Sequence, residues 1–231
     1  MPDIMLRSPD GSFSGYLAVP AAASGPGIVL IQEIFGVNKV MRDLADGFAG
    51  GGYTVLCPDL FWRQEPGIQI TDQSDAEWQQ AFGLFKGFDE AKGVEDLIVT
   101  LDHLRNHEAC AGKVGTVGFC LGGKLAYLMA ARSDADCNVA YYGVGIENAL
   151  DEAANISAPL TLHLAAQDEY CPAAAQQQIH AALDGNARVT IHDYAGVDHA
   201  FARLGGAHYD ADAATAAKGR TDAFFAQILK G

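Results

Sequence analysis

The stretch Val114-Gly115-Thr116-Val117-Gly118-Phe119-Cys120-Leu121-Gly122-Gly123 decides how the chain is to be read. An apolar run of strand character ends in Gly-x-Cys-x-Gly and passes at once into the helical pattern of Leu121 to Arg132. The same spacing around serine makes a nucleophile elbow, a sharp strand-to-helix turn that lifts one side chain above a sheet. Gly118 and Gly122 flank that turn because a β-carbon at either place would meet the neighbouring strand or helix. A helix starting directly after Cys120 sets backbone N–H groups and the positive end of the helix dipole beside the sulfur, and both favour thiolate. Taken alone, the motif also fits a buried cysteine that is merely small enough for a tight turn, so the chemistry has to be sought in its partners.

Working outward, short β-branched runs alternate with longer amphipathic stretches, the pattern of a mostly parallel sheet with helices on both faces. Strands are predicted over Gly27 to Gln32, Tyr53 to Cys57, Lys113 to Phe119, Asn138 to Tyr142, Leu160 to Leu164 and Arg188 to Asp193. Ser12 to Val19 alternates and is expected to form an edge hairpin with the start of the chain. Helices are predicted from an Asn38 cap to Ala49, then over Ser74 to Lys86, Asp89 to His107, Leu121 to Arg132, Pro172 to Leu183 and Tyr209 to Leu229. Leu60 to Asp75 is the longest irregular segment, a candidate to cover a site. With no repeat and no linker-like boundary, residues 1–231 are expected to form one α/β domain.

A thiol nucleophile needs a base. In the α/β-hydrolase arrangement an acid and then a histidine follow the nucleophile in chain order, on loops after later strands. Asp168 follows the strand Leu160 to Leu164, and His199 lies in Gly196-Val197-Asp198-His199-Ala200-Phe201 after the strand ending near Tyr194. Both fall at carboxyl ends of predicted strands, the edge at which Cys120 emerges. Asp198 is too close in sequence to reach back to the imidazole, and Asp193 lies within a strand. His103 and His107 have the i, i+4 spacing of helical metal ligands but lack a third ligand, so no metal site is expected. Cys57, Cys110, Cys137 and Cys171 lack the elbow context and are expected to pack.

Composition narrows the classes. With 15 Lys+Arg against 29 Asp+Glu the net charge of −14 opposes phosphate backbones, and nucleic-acid partners are not expected. Five cysteines cannot all pair within one chain, which suits reduced thiols and a cytoplasmic setting. The start, Met1-Pro2-Asp3-Ile4-Met5-Leu6-Arg7, has no leader pattern, and the run Ile28 to Ile31 is too short to cross a bilayer. A monomer without a cofactor, acting on a small molecule, is the expectation.

These residues resemble the dienelactone hydrolase family of cysteine-dependent α/β-hydrolases. The resemblance runs through Gln32-Glu33-Ile34-Phe35-Gly36-Val37-Asn38, Pro58-Asp59-Leu60, Gly118-Phe119-Cys120-Leu121-Gly122-Gly123, Tyr141-Tyr142-Gly143-Val144-Gly145, Asp168, and His199-Ala200-Phe201-Ala202-Arg203. It implies a Cys120, His199 and Asp168 triad that hydrolyses a lactone or carboxylic ester through a thioester. It also implies an oxyanion hole from the Ile34 and Leu121 amides, and a Glu33 that interacts with the resting cysteine. Arg203 could meet a substrate carboxylate. The family's second arginine, carried over without gaps, falls on Trp78, and Phe82 stands where the family tends to have tyrosine. Phe35, Trp78, Phe82 and Arg203 are therefore the candidate substrate contacts, and a more apolar pocket is implied. Two alternatives stand beside this reading: a broad carboxylesterase or thioesterase on the same triad, and a non-catalytic binding or redox-sensing module on the same fold.

Overall fold

A computed structural model describes residues 3–231; Met1 and Pro2, part of the stretch read above for a leader, lie outside the described residues. The chain forms two compact units that divide after Gly115. In the first, β1 (Asp3–Ser8) and β2 (Gly11–Ala18) make the expected antiparallel hairpin, with Ser8 opposite Gly11. β2 runs antiparallel to β4 (Thr54–Pro58), and β4 runs parallel to β3 (Gly25–Ile31), giving the order β1-β2-β4-β3. Ile28, Val29, Leu30 and Ile31 are all fully buried, so the continuous apolar run reads as a strand covered on both faces.

Three helices complete this unit: α1 (Lys39–Gly50), α2 (Asp75–Lys86) and α3 (Glu90–Arg105). Each begins where a side chain caps it, Asn38 accepting from the Met41 amide, Ser74 from Glu77 and Asp89 from Lys92. Val94, Leu97, Leu101 and Leu104 form the buried stripe of α3, interrupted by a buried carboxylate at Asp96. Asp96 is held by Arg63 at both oxygens and by the Trp62 indole N–H at 2.8 Å, and Arg63 also reaches Asp10 at 3.0 Å. Partners of this kind on both oxygens offset the cost of taking the Asp96 carboxyl out of water.

β5 (Cys110–Phe119) contains the division. It begins three residues before the expected Lys113, because Ala111 and Gly112, exposed at its start, give none of the β-branched enrichment by which the strands were read. In the second unit its end pairs in parallel with β6 (Asn138–Tyr141), β6 with β7 (Leu160–Ala165), and β7 with β8 (Val189–Tyr194). The helices are α4 (Leu121–Arg132), α5 (Ala173–Leu183) and α6 (Ala211–Leu229). A 3₁₀ stretch, Ile146–Asn155, kinked at Ala149, lies in a region given no element from sequence. α6 is tied inward by Thr221, whose hydroxyl lies 2.7 Å from the Tyr141 hydroxyl and 3.1 Å from His163 Nε2. His163 Nδ1 meets the Tyr194 hydroxyl at 2.7 Å. Burial pushes the His163 pKa down to about 3, so this ring stays neutral.

No helix among the described residues is long and apolar enough to cross a membrane. Also among the described residues, no group of three or more His, Cys, Asp or Glu is placed to hold a metal ion. His103 and His107 lie ring to ring at 6.0 Å, and His107 Nδ1 accepts from the Ala109 amide.

Candidate active site

Cys120, Leu121, Asp168 and His199 all belong to the second unit. Cys120 lies between β5 and α4 with φ +57° and ψ −115°, a conformation that costs a non-glycine residue about 1–3 kcal/mol. The turn is held from both sides. The Cys120 amide donates to the Tyr141 carbonyl at 3.1 Å, while its own carbonyl accepts from Gly123 at 3.0 Å and Val144 at 3.3 Å. A β-carbon on Gly118 would lie 1.8 Å from the Gly122 carbonyl oxygen, so the strand can approach the helix only with glycine there. Gly123 is equally constrained, its missing β-carbon lying 2.4 Å from the Tyr141 carbonyl. Leu121 opens α4, and the first amides of a helix have no partner within it.

The acid and the histidine arrive on the loops after β7 and β8. His199 Nδ1 lies 2.9 Å from Asp168 Oδ2, with both side chains nearly inaccessible at 5% and 1%. The other Asp168 oxygen accepts from the Tyr170 amide at 2.8 Å and the Cys171 amide at 3.2 Å, which leaves the carboxylate no freedom to turn. Burial alone would push the His199 pKa down. The negative charge of Cys120 and the hydrogen bonds that the protonated ring donates to Asp168 and Cys120 overcome it and raise the value to about 10. The imidazole is thus stabilised as a cation between a carboxylate and a sulfur. The thiol of Cys171, on the same loop as Asp168, is pushed up to about 12 by burial and stays protonated.

Three features here carry no signature in the sequence. Tyr142 (φ +36°) and Ala200 (φ +62°) join Cys120 in the left-handed region, so each neighbours or includes a member of the site. Tyr142 and Tyr170 stand nearly perpendicular to the His199 ring, with centroids at 5.1 and 4.9 Å. Asp198, set aside as an orienting acid, instead accepts from the His199 amide at 2.6 Å and the Glu169 amide at 3.4 Å, joining the two loops through their backbones.

Of the candidate substrate contacts, Arg203 lies in the second unit and is buried. Glu33, Ile34 and Phe35 follow β3 in the first unit, and all three are buried. There Phe35 meets Trp78 edge to face at 5.0 Å, and Trp78 stacks on Phe82 at 5.4 Å. The Trp78 indole N–H donates to the Asp72 carbonyl at 3.0 Å, and Phe82 remains 43% exposed. Trp78 is therefore half-buried in an aromatic cluster, with the loop 59–74 pinned beside it. The Asp59 carboxylate accepts from the Phe61 and Gly67 amides, and the Ile70 amide reaches the Phe35 carbonyl at 3.1 Å.

The strand and helix order, with the elbow after β5, is that of an α/β-hydrolase, a mostly parallel sheet flanked by helices. A "Putative Dienelactone Hydrolase" of Klebsiella pneumoniae, solved as a crystal structure, superposes with a TM-score of 0.85 at 28% identity, covering 98% of each chain. The sequence profile of the dienelactone hydrolase family matches residues 13–229, and the chain belongs to that family. It is 53% identical over 222 residues to a "Putative carboxymethylenebutenolidase" of Azospirillum brasilense, covering 95% of each. Identity is 39% over 226 residues to the carboxymethylenebutenolidase of Pseudomonas putida, covering 97% of this chain and 96% of that one. The protein is accordingly a hydrolase.

Proposed function

We propose that the protein hydrolyses a lactone or carboxylic ester through a thioester on Cys120, with His199 and Asp168 completing the triad. One observation carries the reading. The His199 imidazole is hydrogen-bonded to Asp168 and to the Cys120 sulfur, and the sulfur is presented on a strained elbow. Its thiolate attacks the substrate carbonyl carbon, a C–S bond forms, and the carbonyl electron pair moves to oxygen. The Leu121 amide at the start of α4 is a donor for that oxyanion. On collapse the C–O bond breaks and the His199 imidazolium gives its proton to the departing oxygen. Water then adds to the thioester as His199 takes a proton, the C–S bond breaks, and the thiolate–imidazolium pair is restored. Asp168 holds the ring in orientation and fixes its tautomer throughout.

Ile34 and Glu33 keep the roles that the family resemblance gives them, the second oxyanion donor and the partner of the resting thiol; these rest on that resemblance alone. Lactone as the substrate class is supported by the relatives' names. Narrow preference for an anionic dienelactone is not supported, because Trp78 with Phe35 and Phe82 forms an aromatic cluster where a second arginine was expected. The test is a panel of aryl esters, thioesters, neutral lactones and dienelactones turned over by the wild type and by Cys120→Ala. Loss of all turnover in the variant is expected, with lactones and aryl esters leading the wild-type order. Equal turnover by both proteins overturns the nucleophile, and a lead for thioesters moves the substrate class to that alternative.

A further inference from the structure

A triad imidazole has two hydrogen-bonding edges to satisfy and one rotation to suppress. Asp168 fixes Nδ1 and the Cys120 sulfur takes the opposite edge, but the two bonds leave the ring plane free to tip about the line that joins them, and the tilt would spoil the alignment of both. Two tyrosine rings stand in the way. Tyr142, 1% exposed, closes the buried side at 67° to the imidazole plane, and its amide is anchored on the His163 carbonyl at 2.8 Å. Tyr170 takes the remaining side at 76° and is 37% exposed.

We propose that Tyr170 is a positioning residue for the hydrolysis, the solvent-side wall that keeps His199 aligned between Asp168 and Cys120; this rests on the triad reading above. Its placement follows from the site and not from the core. A large aromatic ring left more than a third exposed fills no interior space, yet its backbone is fixed with care. The Tyr170 amide donates to Asp168 Oδ1 at 2.8 Å while Oδ2 of the same carboxylate holds His199 at 2.9 Å. One carboxylate thus sets both the imidazole and the wall against it, so the two cannot drift apart. The phenol interacts with Glu169, and burial, Glu169 and the nearby Cys120 charge all push its pKa up. It stays neutral in the working range and adds no second negative charge beside the sulfur.

The ring rather than the hydroxyl carries this role, which sets the test. Profiles of kcat and KM against pH are measured on 4-nitrophenyl acetate for the wild type, Tyr170→Ala, Tyr170→Phe and Cys120→Ala, with thermal midpoints for each. Tyr170→Ala is expected to lower kcat about tenfold with little change in KM. Its alkaline limb should move to lower pH, because water entering beside His199 screens the charges that hold its proton. Tyr170→Phe restores both. A kcat and alkaline limb in Tyr170→Ala equal to wild type overturn the inference, as does a fall in kcat with the limb unmoved, or a Tyr170→Phe as impaired as the alanine variant. Turnover surviving in Cys120→Ala overturns the triad reading instead, so the two failures are told apart.

Discussion

Asp168→Asn tests the site most sharply because the substitution keeps the shape and turns one acceptor into a donor. In the wild type the two carboxylate oxygens divide their duties. Oδ1 serves the Tyr170 and Cys171 amides, and Oδ2 accepts from His199 Nδ1. Asparagine has one oxygen, and two buried backbone amides compete for it against a single ring nitrogen. The oxygen is expected to stay with the amides and turn the NH₂ toward Nδ1. The imidazole must then accept at Nδ1 and carry its proton on the edge facing the sulfur, the wrong tautomer for a base. Losing a charge-assisted hydrogen bond of this kind costs about 1.5–3 kcal/mol. Its equivalent in serine triads lowers kcat by roughly 10⁴. A thiol ionises more readily than a serine hydroxyl, so the loss in kcat/KM is expected at about 10²–10³, or roughly 3–4 kcal/mol. The His199 pKa should fall from about 10 toward the ordinary imidazole range, bringing the alkaline limb of the rate profile down with it. Ester hydrolysis against pH, with the alkylation rate of Cys120 by iodoacetamide at neutral pH, reads both effects. An Asn variant that keeps kcat/KM within about threefold and an alkaline limb near that of the wild type refutes the assignment of Asp168.

Other expectations concern specificity and stability. Trp78→Arg should raise kcat/KM for anionic lactones relative to neutral ones by about tenfold, the worth of one charged contact; unchanged selectivity in paired assays counts against a substrate-facing Trp78. His180 is flanked by Asp184 at 2.9 Å and Asp193 at 3.1 Å, and its pKa is raised chiefly by the Asp184 hydrogen bond. Its stabilisation is present in full below the unfolded histidine value and lost as pH rises through the higher folded one. The gap in Tm between wild type and His180→Ala should therefore be widest below the ordinary histidine range and shrink as pH rises above it, and a gap constant with pH is the contrary result. Asp96→Ala leaves Arg63 and the Trp62 N–H short of their buried acceptor and should cost about 2–4 kcal/mol in urea unfolding. A cost under about 0.5 kcal/mol would show that Asp10 alone suffices for Arg63.

Most elements were legible because their signals are local. Ser74, Asp89 and Asn38 announced helix starts that the structure places within a residue. The aliphatic runs of β3 and β7 could be little else than doubly covered strands. The 3₁₀ stretch Ile146–Asn155 was not legible, since its kink at Ala149 breaks the helical period that pattern reading relies on. At the candidate site, chain order and strand ends singled out Cys120, Asp168 and His199, and the structure brings the last two to 2.9 Å. Tyr170 and Tyr142 act through ring orientation, which no spacing encodes. Asp198, passed over as the acid on grounds of reach, accepts from backbone amides of both loops, a contact visible only with the loops folded. Gly122 was singled out for the elbow, but Gly123 is a neighbour with its own close approach, to the next strand's carbonyl; sequence cannot say which of two adjacent glycines is pressed.

The hydrogen-bonded line from Tyr141 through Thr221 to His163 and Tyr194 also sets an order of assembly. During synthesis, a chain that has emerged only through the loop after β8 presents Cys120, Asp168 and His199, but the buried polar edges of Tyr141 and His163 still await Thr221. Those strands cannot close dry until that part of α6 is delivered. The loops that carry Cys120, Asp168 and His199 are thereby kept from their finished surroundings until nearly the whole polypeptide has left the ribosome.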